Sequence, residues 1–290
     1  MPAIFFKLKI FLKKINITKK EIILLFACCF FFIISFIFNY IYNDSRVINF
    51  TFEFRQFLLF LLLIYILYKI YLRGSELQEM QFVNYRQIEA YLSFTTIIKP
   101  SIPLPIMRGS AISPDFAHIM VSIMLKTNTP KNIFECGSGI STLILGYCLK
   151  KNNNGHIWSL DHENKFTNIT KKNLEYHNLL QFVSLFWAPL KRISIDEKEH
   201  LWYDTEFMNN FDEKIDLLII DGPPRSYSKH IRYPALPLLY NYLSSDAIIL
   251  IDDANRVGEK EIIQQWLNRY NDLSYEWFNT EKGTVVLRKI

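Results

Sequence analysis

The stretch NIFECGSGIST, residues 132–142, decides the fold of this chain. The apolar run NIFEC predicts a buried strand, and the two glycines after it predict a tight turn into a helix. In a dinucleotide-binding turn, a third glycine lets the helix pack close to the strand, but Thr142 stands at that position. Glu135 also opposes a pyrophosphate, because its carboxylate would repel phosphate and would instead accept hydrogen bonds from an amine or a hydroxyl.

Strands and helices alternate from this turn to the end of the chain. Further strands are predicted in HIWSL, QFVSLFWA, IDLLII, DAIILI, SYEWF and GTVVLRK. Continuous apolar strands separated by helices indicate a parallel sheet that is covered on both faces. The sequence therefore predicts a doubly wound α/β fold in which ligands bind at the carboxyl ends of the strands.

Asp161 closes the strand that follows the glycine turn, 22 residues beyond Gly139. A carboxylate at that place can accept hydrogen bonds from both hydroxyls of a ribose. The free amides of the helix N-terminus favour a negatively charged ligand group. These features predict an adenosine that carries an amino acid and no pyrophosphate, which is S-adenosylmethionine. A dehydrogenase with a dinucleotide ligand is the weaker alternative.

Four segments, FECGSGIST, IWSLDHE, IDLLIIDGPP and AIILIDDANR, resemble class I S-adenosylmethionine-dependent methyltransferases and occur in the order of that family. The resemblance covers residues 113–290 and is closest to the small-molecule O-methyltransferase branch. It implies a Rossmann-like sheet of about seven strands, the last of them antiparallel. The residues that it implies at the cofactor are Glu135, Gly137, Ser138, Gly139, Ser141, Asp161, His162 and Ala188. Glu135 and the two glycines would line the methionine end, Asp161 would hold the ribose, and Trp187 or Ala188 could pack on the adenine.

Three aspartates end neighbouring strands: Asp221 follows IDLLII, and Asp252 and Asp253 follow DAIILI. We expect their carboxylates to meet at the edge of the sheet that carries the glycine turn. Acids gathered in a cleft repel one another unless a cation or protons intervene, and oxygen ligands suit Mg²⁺ or Ca²⁺. In metal-dependent relatives such acids hold Mg²⁺ at the acceptor hydroxyl. The alternative is that Asp221 only starts a turn and that one of the pair caps a helix.

The loop DGPPRSYSKHIRYP, residues 221–234, is rich in groups that could meet a polar acceptor. His230 is a candidate general base beside Asp221, although a lone histidine in a loop is often only exposed. Arg225 or Arg232 could bind an anionic substrate.

The first 20 residues carry six lysines and no acid, so the rest of the chain is near neutral despite a formal net charge of +5. A basic tail beside an apolar run indicates a cytoplasmic membrane flank, and no nucleic-acid partner is expected. The four cysteines form no CxxC pair or cysteine–histidine cluster, which argues against a disulfide framework or a zinc site.

Two apolar runs predict a transmembrane hairpin over residues 21–74, with helices at about 22–42 and 55–72. The first run has no charge over 21 positions, enough to cross about 30 Å of hydrocarbon. The second, Phe57 to Leu72, contains Lys69 and could instead be buried or interfacial. Two crossings return everything after Arg73 to the cytoplasm, whereas a single crossing leaves it outside. A connecting helix and a proline-rich loop are predicted over residues 75–112.

These features predict a membrane-anchored S-adenosylmethionine-dependent methyltransferase whose N-terminus and catalytic domain face the cytoplasm, where the cofactor is found. We expect methyl transfer to the hydroxyl of a small or lipid-linked acceptor, with Asp221 or His230 removing the proton. Asp221, Asp252 and Asp253 would hold a metal. The alternatives are methyl transfer to nitrogen, aminopropyl transfer, and a non-catalytic membrane scaffold with a cofactor-binding domain.

Overall fold

The computed structural model describes residues 45–125, 129–206, 208 and 211–290, together with residues 30, 33–35, 37, 40 and 41. The chain divides into two compact units, Met1–Met80 and Gln81–Ile290. The predicted basic tail, residues 1–20, lies outside the described residues. So does most of the first predicted span, residues 22–42, and its few described positions are helical. The predicted hairpin therefore stays a prediction.

The long helix α1, Ser45–Ile98, contains the second predicted span. The connecting helix predicted from Ser75 is part of α1, which continues through that point without a break. Gly74 costs a helix only about 1 kcal/mol, and no proline follows before Pro100. Among the described residues, one helix, Ile48–Ile98, is long and apolar enough to cross a membrane by length and composition, and its most apolar window is not buried.

The second unit is built on a seven-stranded sheet. The strands of this unit are β1 Asn132–Cys136, β2 His156–Asp161, β3 Val183–Trp187, β4 Leu190–Ile195, β5 Lys198–Tyr203, β6 Ile215–Ile220, β7 Leu243–Ile251, β8 Leu273–Phe278 and β9 Thr284–Lys289. The sheet order is β3-β2-β1-β6-β7-β9-β8. Strands β3, β2, β1, β6 and β7 run parallel to one another, and β9 is antiparallel to both of its neighbours. The predicted α/β sheet of about seven strands with an antiparallel last strand is confirmed.

Helices cover both faces of the sheet. They are α2 Pro114–Ile123, α3 Ile140–Asn152, α4 Asn164–Tyr176, α5 Ala235–Leu239 and α6 Val257–Arg269. Alternate side chains of each central strand enter opposite apolar clusters: in β1, Ile133 packs into one cluster and Phe134 into the other. This two-sided burial explains why the strands read as continuous apolar runs.

Asp115, at the start of α2, joins three segments that are far apart in the sequence. Its carboxylate accepts hydrogen bonds from Gln87 of α1 at 2.7 Å, from Ser113 at 2.5 Å and from the backbone of Glu281 at 2.7 Å. Glu281 lies in the turn between β8 and β9. Helix α2 begins at Pro114 with Ser113 as its N-cap residue, but the Ser113 hydroxyl binds Asp115 instead of capping the helix backbone.

Strands β4 and β5 form a separate antiparallel hairpin, which the sequence patterns did not predict. The turn residues Asp196 and Glu197 both adopt positive φ angles of 50° and 63°. Such turns usually carry asparagine or glycine, so the sequence offered no turn signal there. The hairpin ends at Tyr203, beside the glycine turn.

Candidate active site

The glycine turn lies at the carboxyl end of β1, where it packs against the segment that follows β6. Gly137 has a positive φ of 106°, and its amide donates a 3.0 Å hydrogen bond to the carbonyl of Leu160. A Cβ atom on Gly137 would lie 3.0 Å from the backbone nitrogen of Gly222. Both the backbone conformation and the close approach therefore require glycine at this position.

Thr142 replaces the missing third glycine with a hydrogen-bonded connection. The backbone amide of Gly139 donates to Thr142 Oγ1 at 2.9 Å, and this hydroxyl in turn donates to Glu135 Oε2 at 2.5 Å. Ser159 on β2 donates to the same carboxylate oxygen at 2.6 Å. The threonine thus ties the helix start to the buried acid of β1.

Glu135 keeps one oxygen without a partner. Its side chain is fully buried, and no hydrogen bond reaches Oε1 among the described residues. Burial raises the pKa of Glu135 to about 7, an effect that the hydroxyls of Ser141, Ser159 and Thr142 partly offset. A buried acceptor in this state can pair with the cationic amine of a ligand.

Asp161, at the end of β2, is hydrogen-bonded to the glycine turn and to the backbone that leads into α4. Oδ2 accepts a 2.9 Å hydrogen bond from Ser138, and Oδ1 accepts one of 2.9 Å from the backbone of Glu163. Because an ionised carboxylate offers about four acceptor positions, it can still receive two ligand hydroxyls. The structure thus brings Ser138 and Asp161 into direct contact, at the edge where the sequence predicted a ribose.

His162 and Ala188 also lie at this edge. His162 Nδ1 is 3.4 Å from Asp161 Oδ1, and His162 Nε2 is 3.4 Å from Glu163 Oε1. Ala188 is buried, and its amide donates to the carbonyl of Asp161 at 2.8 Å. Trp187 is 55% exposed, so of the two residues considered for packing on an adenine it is the one with free ring surface. The roles of these residues stay predictions.

Tyr203 lies at this edge as well, although it is not among the site residues that the sequence predicts. It is fully buried, and its hydroxyl has no hydrogen-bond partner among the described residues. A side chain on Gly222 would collide with this hydroxyl, which therefore lies at the junction of the two glycine segments. Burial raises the pKa of Tyr203 well above its ordinary value, so the phenol stays neutral. The sequence does not indicate this position, because Tyr203 belongs to the β4–β5 hairpin, which the sequence patterns did not predict.

The three aspartates meet, as the sequence predicts. Each of Asp221, Asp252 and Asp253 offers an oxygen, and these atoms lie within 4.8 Å of one another. Burial raises the pKa of Asp221 well above its usual range, and the neighbouring Asp252 adds to the effect. Burial and Asp253 raise the pKa of Asp252 to about 6, and neither carboxylate oxygen of Asp252 has a described hydrogen-bond partner.

The guanidinium of Arg232 lies inside this acidic cluster. Its NH2 atom is 2.9 Å from Asp253 Oδ2 and 3.5 Å from Asp221 Oδ1. The side chain is only 3% exposed, so it does not offer a free binding site for an anionic substrate. Burial opposes the charge of Arg232, but the carboxylates outweigh burial and raise its pKa.

His230 has its described polar contact away from the aspartates. Its Nε2 atom is 2.5 Å from Glu261 Oε2 on α6, and Lys229 reaches the same carboxylate at 2.7 Å. The structure brings Asp221 to the glycine turn, since the Asp221 amide donates to the carbonyl of Cys136 at 3.0 Å. Of the two candidate bases, Asp221 is therefore the one whose contacts lie at the glycine turn.

Part of the chain matches a known family of proteins. Residues 134–254 match the family model of a methyltransferase domain. The chain is similar in structure to an SAH-bound methyltransferase from Podospora anserina, with 13% identity, coverage of 73% of this chain and 96% of that chain, and a TM-score of 0.50. It is also similar to an O-methyltransferase from Bacillus cereus in complex with SAH, with 16% identity, coverage of 70% and 91%, and a TM-score of 0.49. No curated protein matches the chain in sequence.

The structural likeness at these identities shows the fold alone. The matched domain begins inside β1 and ends directly after Asp253, so it contains the glycine turn, Asp161 and all three aspartates. The protein is therefore an S-adenosylmethionine-dependent methyltransferase.

Proposed function

We propose that this methyltransferase methylates a hydroxyl oxygen of a small or lipid-linked acceptor at a membrane surface. The observation that carries the proposal is the position of Asp221, whose backbone is hydrogen-bonded to the end of β1 next to the glycine turn. A carboxylate there can take the proton of a hydroxyl that is held against the cofactor. Its raised pKa makes it a stronger base than an ordinary aspartate.

Bound S-adenosylmethionine would supply an electrophilic methyl group on a positively charged sulfur. Glu135 would receive the amine of the methionine end on its unpartnered oxygen. Asp161, oriented by Ser138, would receive the ribose hydroxyls. Asp221 would hold the acceptor and accept its proton on a carboxylate oxygen. Positioning supplies much of the rate in such a site.

The membrane part of the proposal is supported by α1. Between Phe57 and Tyr71 this helix exposes eleven large apolar side chains, including Phe60, Leu63 and Leu67. Exposed apolar surface of this extent is typical of contact with lipid or with a partner. Because the cofactor is cytosolic, we place the methyltransferase domain on the cytoplasmic side.

Protease digestion of sealed right-side-out vesicles tests this orientation. Sites after Arg73 should be protected until the vesicles are opened with detergent. Digestion of the intact vesicles from outside would contradict the proposed orientation.

The reaction is tested with the full-length protein in detergent and S-adenosylmethionine labelled in the methyl group. The proposal expects label in hydroxyl compounds or in lipid-extractable material from host membranes. Asp221→Asn should abolish this transfer while leaving the affinity for S-adenosylhomocysteine within about twofold. Label found only in amines would point to nitrogen methylation. Binding of the cofactor with no transfer to any acceptor would favour a scaffold.

Mg²⁺ is not part of this proposal, although the three carboxylates converge. An Mg²⁺ ion at this cluster, as the sequence predicts, would compete with the guanidinium of Arg232, which lies beside Asp221 and Asp253.

A further inference from the structure

The guanidinium of Arg232 directs its donors to the strand ends that carry the three aspartates. Its Nε atom donates to the carbonyl of Pro223 at 3.3 Å, and NH1 donates to the carbonyl of Asp252 at 3.0 Å. Its NH2 atom donates to the carbonyl of Asp221 and, at 2.9 Å, to the carboxylate of Asp253. Arginine stays charged at any pH at which the protein is folded, so this positive charge is permanent.

A divalent cation would need the space that this guanidinium fills. Mg²⁺ and Ca²⁺ bind carboxylate oxygens at about 2.0–2.6 Å. An ion that bridges Asp221 and Asp253 would therefore sit where Arg232 NH2 already approaches both acids, at 3.5 and 2.9 Å. The ion and the guanidinium would also repel each other inside a buried site, where charges are weakly screened.

Two further cations compensate the acids. Arg256 NH1 is 2.6 Å from Asp253 Oδ2, and it also approaches the buried Glu259 at 3.8 Å. Lys282 Nζ is 3.7 Å from Asp252 Oδ2. Three positive side chains thus face the three aspartates and offset part of their mutual repulsion without a metal.

We propose that Arg232 is the built-in cation of this cluster, and that the enzyme therefore holds no divalent metal at Asp221, Asp252 and Asp253. This inference rests on the proposed function only for the location of the acceptor beside Asp221. It explains why a cluster with the spacing of a metal site also contains a buried arginine. It further implies that methyl transfer does not depend on Mg²⁺.

The test uses Tb³⁺ luminescence of the full-length protein in detergent, with Mg²⁺ as the competitor and prior treatment with EDTA. Wild-type protein should give no Mg²⁺-displaceable signal that depends on Asp252, so wild type and Asp252→Asn should behave alike. Arg232→Met removes the charge and keeps a long side chain. It should bind Tb³⁺ at least roughly tenfold more tightly than wild type, which corresponds to about 1.4 kcal/mol. Arg232→Lys keeps the charge and serves as the matched control without the gain.

A wild-type signal that disappears in Asp252→Asn would overturn the proposal, and this comparison does not depend on the folding of the Arg232 variants. A folded Arg232→Met protein without an Asp252-dependent signal would overturn it as well. The affinity for S-adenosylhomocysteine is measured on the same samples. Its absence would count against the proposed function, whereas the metal result concerns the cluster alone.

Discussion

Glu135→Gln is expected to separate cofactor binding from protein stability. The substitution keeps the shape of the buried side chain and the hydroxyl contacts of Thr142 and Ser159, but it removes the negative charge that would meet the amine of the cofactor. A hydrogen bond to a charged group contributes about 1.5–3 kcal/mol. The dissociation constant for S-adenosylhomocysteine should therefore rise roughly 10- to 150-fold at pH 8.

The difference between the two proteins should shrink at low pH. Because the pKa of Glu135 is raised to about 7, about nine tenths of the wild-type carboxyl is ionised at pH 8 and about one tenth at pH 6. If only the ionised form binds, the apparent affinity falls with that fraction, roughly tenfold over this range. Asp252, with a pKa of about 6, titrates in both proteins, so the difference between them isolates Glu135.

The stability of the ligand-free protein should depend on pH in the opposite way to the affinity, and should fall as the pH rises. A carboxyl whose pKa is raised in the folded state binds its proton more tightly there than in the unfolded chain. The ligand-free protein therefore loses stability as the pH rises from about 4.5 to about 7, by about 3 kcal/mol for a shift of this size. Glu135→Gln removes this penalty, so its melting temperature without ligand at pH 8 should equal or exceed that of wild type.

The assay is isothermal titration calorimetry of the full-length protein in detergent with S-adenosylhomocysteine at pH 6, 7 and 8. Melting temperatures are recorded in the same buffers. Glu175→Gln, on the exposed face of α4, is the matched control and should behave as wild type. Equal affinities of wild type and Glu135→Gln at pH 8, in a folded variant, would refute the assignment of the buried acid to the cofactor amine.

Three further changes test the remaining contacts. Asp161→Asn should weaken S-adenosylhomocysteine binding roughly 10-fold or more in the same calorimetric assay, because the hydroxyl partners lose a charged acceptor; an unchanged affinity would argue against the ribose role. Thr142→Val should lower stability by about 1–3 kcal/mol in urea titrations, since it leaves a partly buried amide and a buried carboxylate without the shared hydroxyl, and Thr142→Ser should restore most of the loss. Gly222→Ala should destabilise by about 1–3 kcal/mol through overpacking against the Tyr203 hydroxyl. Adding Tyr203→Phe should recover part of this loss, and purely additive effects would contradict the packing argument.

The elements with strong local patterns could be predicted from the sequence. Apolar runs such as IDLLII and DAIILI predict buried strands because both faces of a parallel sheet exclude water. The glycine turn, Asp161 and the three aspartates follow from that register, since parallel strands bring their carboxyl ends to one edge. The helical character of residues 55–72 is equally local. Its continuation through Gly74 was not predicted, because a single glycine is a weak interruption whose effect depends on the rest of the helix.

The contacts that complete the site are decided by tertiary structure. Arg232 contacts Asp253 across 21 positions of sequence, and Tyr203 approaches Gly222 from the end of a hairpin that the sequence did not predict. Thr142 marks the absence of a dinucleotide turn in the sequence, but its hydrogen bonds to Gly139 and Glu135 require the folded helix start. The periodicity and spacing of apolar residues indicate which face of a helix or strand is buried. Which buried polar group meets which partner depends on distances across the fold, and only packing sets those distances.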